Sequence, residues 1–167
     1  METFDHKGRT YSVTIERDYD HGHPWDEECG HGPVSEWTTR PKHPGELVLC
    51  EERGKRRYYD FAEACRIALA DGWDAEPYKT GTKRQQATRA AMADFDTLRR
   101  YAKDDWYYVG VVVTQLCKCC QKESDWSESM WGIDSESDVY IESLLPELAE
   151  EIEYRQASHV NERLAYA

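Results

Sequence analysis

Between Asp20 and His31 the sequence reads DHGHPWDEECGH, which places His21, His23, Cys29 and His31 beside the carboxylates of Asp20, Asp26, Glu27 and Glu28. Neutral imidazole and thiolate are donors that zinc prefers, and the H-x-H pair puts two rings on one side of an extended chain. Such a constellation would serve a zinc-binding module or a metal-dependent hydrolase. The spacing is not a standard zinc spacing, however, and four ligands from one short loop must wrap tightly around the ion, so a polar surface loop is the simpler reading. A second soft cluster, Cys117, Cys119 and Cys120 in CKCC, has no further Cys or His nearby in sequence and reads first as plain thiols. No G-x-S-x-G, P-loop, dinucleotide-binding glycine motif or H-E-x-x-H occurs. No signature marks an enzyme.

Charge is distributed unevenly along the chain. From Glu123 to Glu153 there are eleven acidic residues and no Lys or Arg, whereas Lys79, Lys83, Arg84, Arg89, Arg99, Arg100 and Lys103 make the middle of the chain basic. The formal net charge of −12 disfavours nucleic acid or an anionic membrane as the main partner, because those surfaces demand clustered bases. Asp134, Glu136, Asp138, Glu142, Glu147, Glu150 and Glu151 are the candidate partner-binding residues. Asp138 and Glu142 suit a helix N-terminus, but Glu150 and Glu151 approach the negative end, where each costs a few tenths of a kcal/mol or so unless paired. Neutralisation by bases of the long helix, or plain solvation, is the competing explanation.

The elements that must position these groups can be read from periodicity. Tyr11, Val13 and Ile15 alternate with polar residues as in a half-buried strand. Residues 18–43 form a long loop rich in Gly, Pro, Asp and His, which Trp25 and Trp37 are expected to pin to the core. Glu46–Cys50 and Arg56–Tyr59 flank Gly54 as a hairpin. Asp60 and Glu63 start a helix that ends at Gly72, residues 74–82 form a turn, and a long helix follows over 83–104. A second hairpin joins 106–116 to 129–133 through a polar tip, CKCCQKESDWSE. The last helix begins near Ser137 or Asp138, carries Val139, Ile141, Leu144, Leu145, Leu148 and Ile152, and is bent or restarted by Pro146. The order predicts one α+β domain over 1–167: an antiparallel or mixed sheet of two hairpins plus an N-terminal strand, with three helices packed on it. No apolar run is long enough for a membrane span, and the six cysteines are expected to be free thiols.

Five stretches, HGPVSEW at 31–37, PGELVL at 44–49, RYYDFAEA at 57–64, WYYVGVVVT at 106–114 and WGID at 131–134, together resemble a group of small acidic accessory proteins of tailed bacteriophages and prophages. That resemblance implies phage origin and the cytoplasm of a bacterial host, and it brings no activity with it. The resulting expectation is a non-enzymatic protein whose acidic surface docks on a basic face of a host protein, with inhibition of a defence nuclease or nucleic-acid-binding factor as one outcome. A nucleic-acid interface built from Lys83, Arg84, Arg89, Arg99, Arg100 and the 53–57 tip ranks below it because of the overall charge.

Overall fold

A computed structural model describes residues 2–26, 30–73 and 80–165, apart from the side chains at 160 and 162–165. Its helices and two antiparallel sheets make the expected α+β arrangement. Two compact units emerge, Met1–His21 with Tyr107–Ala167, and Gly22–Trp106. Their boundaries fall after His21 and after Trp106 rather than in the 74–82 turn, of which 74–79 lies outside the described residues.

The first unit holds a four-stranded sheet in the order β1 (Glu2–His6), β2 (Arg9–Arg17), β5 (Tyr108–Leu116), β6 (Glu123–Asp134). In chain order the entire second unit is inserted between neighbouring strands β2 and β5. Strand β1 was not anticipated. Its turn places Lys7 and Gly8 at φ 47° and 76°, matching Arg53 and Gly54 at 49° and 77° in the other hairpin. Positive φ at both central residues is the primed turn that suits strand twist. Strand β6 starts at Glu123, so the hairpin tip spans 117–122 rather than the expected 117–128. The alternation is present there: Ser124, Trp126 and Glu128 are half-buried while Glu123, Asp125 and Ser127 are exposed. Composition hides it, because an edge strand with one solvated face can be built almost wholly of polar residues.

One face of this sheet carries Tyr11, Val13, Val109, Val111 and Val113 against Ile141, Leu144, Leu148 and Ile152 of α3 (Asp138–Ala165). Full burial of each such side chain is worth about 1.5–3 kcal/mol, so this interface holds the unit together. Val139 does not belong to the buried stripe and is 82% exposed. The helix runs through Pro146 without restarting. Pro146 and Glu142 are both exposed, so water can serve the carbonyl that loses its donor. On the opposite sheet face Gly110 lies under Trp131, whose ring atoms would stand 2.2–2.5 Å from any Cβ at that position.

In the second unit, β3 (Glu46–Glu52) and β4 (Lys55–Asp60) form their own two-stranded sheet, packed with α1 (Phe61–Asp71) and α2 (Lys83–Ala102). The two hairpins therefore belong to separate sheets. Asp60 accepts from the Glu63 N–H, and Gly72 closes α1 in the left-handed region, as the sequence predicts. Much of the 18–43 loop is anchored: Val34 bridges to Tyr59 and Thr38 to Arg56. Trp25 packs on the core, whereas Trp37 is 38% exposed; the Arg57 guanidinium lies 5.5 and 5.4 Å from their ring centres.

Arg40 closes the end of that loop with a two-pronged bond to Glu46, at 2.8 and 2.5 Å. This pair, assisted by the His43 backbone N–H against the cost of desolvation, holds the Glu46 carboxyl down at about 2, below its ordinary 4.5. A lowered native pKa stabilises the fold above the unfolded value and loses that contribution as pH falls from 4.5 towards about 2. Urea midpoints measured from pH 6 to pH 2 are therefore expected to fall more steeply for the wild type than for Glu46→Gln. Parallel curves would show that this pair contributes nothing to acid sensitivity.

Candidate functional site

The acidic segment is divided by the geometry that carries it. Lys7 Nζ reaches Glu150 at 2.6 Å, with His6 Nε2 at 3.6 Å from the same oxygen, and the lysine lowers the Glu150 pKa. Arg9 lies 3.8 Å from Glu153, which also accepts from the Tyr11 hydroxyl; burial first and then Glu153 push Tyr11 up to about 12. Arg155, one turn beyond Glu151, instead pairs with Glu128 on β6 at 2.5 Å. Ser12, a buried hydroxyl, donates to Glu123 at 2.8 Å. Compensation thus comes from the β1–β2 hairpin and from α3 itself. The eleven carboxylates do not act as one uniform surface.

Two further groups of exposed residues lie at the start of α3 and along it. At the start of α3, Asp134 caps the Glu136 N–H, and a groove of about 610 Å³ is lined by Glu136, Asp138, Val139 and Tyr140 with two serines. Glu142 is exposed one turn after Asp138. Farther along, Tyr140, Glu147, Glu151 and Tyr154 recur at i, i+7, i+11 and i+14, so they share one flank of the helix. All four are exposed, Tyr140 by 50% and Tyr154 by 68%. The Tyr140 hydroxyl donates to Met130 Sδ, which ties the top of the strip to β6. Glu147 and Glu151 have no ion-pair partner among the described residues.

The three histidines of the loop each have their own neighbours. His21 packs edge-on to Tyr108, and His23 stacks on Trp25 with its Nδ1 3.3 Å from the Tyr101 hydroxyl. His31 Nδ1 lies 2.6 Å from Asp94. Cys29 lies outside the described residues. Among the described residues none of the three histidines joins a group of three or more potential metal ligands. A cleft of about 470 Å³ beside His21 includes Arg17, Asp18, Tyr19, Asp20 and Trp131. Its Asp18 carboxylate is already occupied by the N–H groups of Asp20, His21 and Gly132.

In the second unit a carboxylate outside the expected sites joins two other segments. Asp94 on α2 accepts from Tyr59 Oη at 2.6 Å and from the Gly32 N–H at 2.8 Å, besides its contact with His31. Burial, then Asp94, push the Tyr59 hydroxyl far above its ordinary pKa. Gly32 can approach only because it lacks a side chain: a Cβ would stand 2.5–2.6 Å from Tyr59 and Ala64. The cluster ties the loop to α2. No family model, curated protein or solved structure matches this chain.

At the β5–β6 tip the structure draws Cys117, Cys119 and Cys120 together, with their sulfurs within 4.8 Å of one another. Cys117 and Cys119 Sγ are 3.0 Å apart. The Cys119 thiol first, then the backbone N–H groups of Cys119 and Cys120, lower the Cys117 pKa to about 7. Cys119 moves the other way, to about 11, beside the same sulfurs. This is one soft, electron-rich corner on an otherwise carboxylate-bearing hairpin.

Proposed function

We propose that this chain is a non-enzymatic protein-binding module whose acidic face docks on a basic surface of another protein. The observation that carries this reading is the Tyr140, Glu147, Glu151, Tyr154 strip, with two exposed tyrosines bracketing two carboxylates that lack ion-pair partners among the described residues. Tyrosine supplies large, stiff contact area at interface hot spots, and carboxylates supply steering and register against a basic face. Beside Tyr154 a groove of about 330 Å³, lined by Trp126, Arg155, Ser158 and His159, extends the strip. Asp138 and Glu142 form a secondary contact zone. Glu150, being spent on Lys7, contributes least.

Following the resemblance to phage accessory proteins, the proposed partner is a protein of a bacterial host. A nuclease or nucleic-acid-binding factor fits best, since its phosphate-binding groove presents the required basic face, and occupation by carboxylates would inhibit it. The test compares capture from host lysate by immobilised wild type, by Glu147→Lys/Glu151→Lys, and by a charge-matched control, Glu51→Lys/Glu52→Lys. The strip variant is expected to lose a specific, salt-sensitive partner by more than about 10-fold, the worth of two desolvated charge contacts, while the control retains it. Equal loss in both variants would reduce the effect to bulk charge, and equal retention would remove the strip from the interface.

A further inference from the structure

The β5–β6 tip brings three thiols into one small triangle. Cys117, Cys119 and Cys120 come from a single turn, closed by the Cys117 N–H donating to the Lys122 carbonyl and the Gln121 N–H to the Cys117 carbonyl, with Gln121 at φ 55°. Adjacent cysteines on a strand would point to opposite faces; this turn instead keeps all three sulfurs within 4.8 Å of one another. Metal–sulfur bonds of about 2.3 Å in tetrahedral geometry require sulfurs about 3.8 Å apart. The three sulfurs thus stand near the spacing that one ion requires, with Cys117 and Cys119 having to open from 3.0 Å.

The charge around the turn also suits metal thiolates rather than idle thiols. Lys118 and Lys122 flank the cluster, whereas no base follows until Arg155. Their charges offset the excess negative charge that three thiolates leave on a mono- or divalent ion.

We propose that Cys117, Cys119 and Cys120 form a binding site for one thiophilic metal ion of the zinc(II) or copper(I) class. Soft thiolate donors select these ions over magnesium, calcium or manganese. With zinc, three protein ligands leave one tetrahedral position open to an outside donor; with copper(I), three thiolates complete a trigonal shell.

Full-length protein purified without a histidine tag and kept reduced would be titrated separately with zinc(II), against a chromophoric chelator, and with copper(I), against a copper(I)-specific chelator. Cobalt(II) would serve as a spectroscopic probe of thiolate ligation through its near-ultraviolet charge-transfer bands. One equivalent of zinc(II) or copper(I) is expected, and Cys117→Ser/Cys119→Ser/Cys120→Ser is expected to lose more than about 100-fold in affinity, since even outer-shell changes cost 10–100-fold. A Cys29→Ser/Cys50→Ser/Cys65→Ser variant should bind as the wild type does. Which ion binds distinguishes the open tetrahedral from the trigonal site. Failure of both ions to bind, or binding that survives in the tip variant, would overturn the proposal. Cys119 and Cys120 are exposed and Cys117 is half-buried, and circular dichroism of the tip variant verifies that its fold is kept.

Discussion

Replacing Asp94 by alanine is expected to destabilise the Gly22–Trp106 unit by about 3 kcal/mol or more, the range for removing a buried, multiply bonded carboxylate. Its side chain is 7% exposed and gathers three donors from two other segments. After truncation the Tyr59 hydroxyl keeps the Ala91 carbonyl at 3.1 Å. Among the described residues the Gly32 N–H has no such second acceptor, and the 30–34 stretch loses its tie to α2. Asp94→Asn retains one acceptor oxygen but turns an amide donor towards a site full of donors, so its cost should fall between the wild type and alanine. Tyr59→Phe removes one hydrogen bond and should cost about 1 kcal/mol. Urea unfolding followed by tryptophan fluorescence reads this well, since Trp25, Trp37, Trp73 and Trp106 all belong to that unit. An alanine penalty no larger than that of Tyr59→Phe would mean that the carboxylate does not hold the loop.

Asp94 also marks the limit of what periodicity can reveal. It sits three residues after Ala91 and four before Leu98, on the apolar stripe of α2, and an acid in that position is a readable signal. What could not be read is its set of partners, which lie 35, 62 and 63 residues away. Local rules succeeded where the deciding interaction is local. Asp60 with Glu63 at the start of α1, and Gly72 at its end, each act within one helical turn.

Strand β1 was missed although Lys7-Gly8 repeats the Arg53-Gly54 turn, because Glu2–His6 is short, polar and at a sheet edge, where burial writes little pattern. Allocation of the hairpins to two sheets depends on pairing Tyr11–Arg17 with Val109–Gln115 across the whole inserted unit. The fate of the acidic run depends on the same distance: Lys7 and Glu150 are separated by 143 residues. Spacing within α3 was sufficient to show that Tyr140, Glu147, Glu151 and Tyr154 share a flank, but not that Glu150 is neutralised from β1–β2.

The strip depends on the packing beneath it, which makes Ile152 the second position of large effect. Ile152 is 1% exposed and faces the sheet in the cluster with Tyr11, Val111 and Val113. Ile152→Ala is expected to cost about 3 kcal/mol, from lost transfer energy plus the cavity left under a helix that cannot fully collapse onto β-branched neighbours, whereas Ile152→Val should cost about 1 kcal/mol. The ion pairs Lys7–Glu150 and Arg155–Glu128 cannot compensate, since exposed pairs are screened by solvent and contribute little. Because Ile152 lies between Glu151 and Tyr154 in sequence, loosening it moves the strip as well. Partner affinity should therefore fall for Ile152→Ala together with the denaturation midpoint, and both should recover together in Ile152→Val. Glu147→Lys/Glu151→Lys should separate the two, lowering affinity while changing stability by less than about 0.5 kcal/mol, as is usual at exposed positions. If the charge variant unfolded as readily as Ile152→Ala, the carboxylates would be structural and the docking role would have to move elsewhere on the surface.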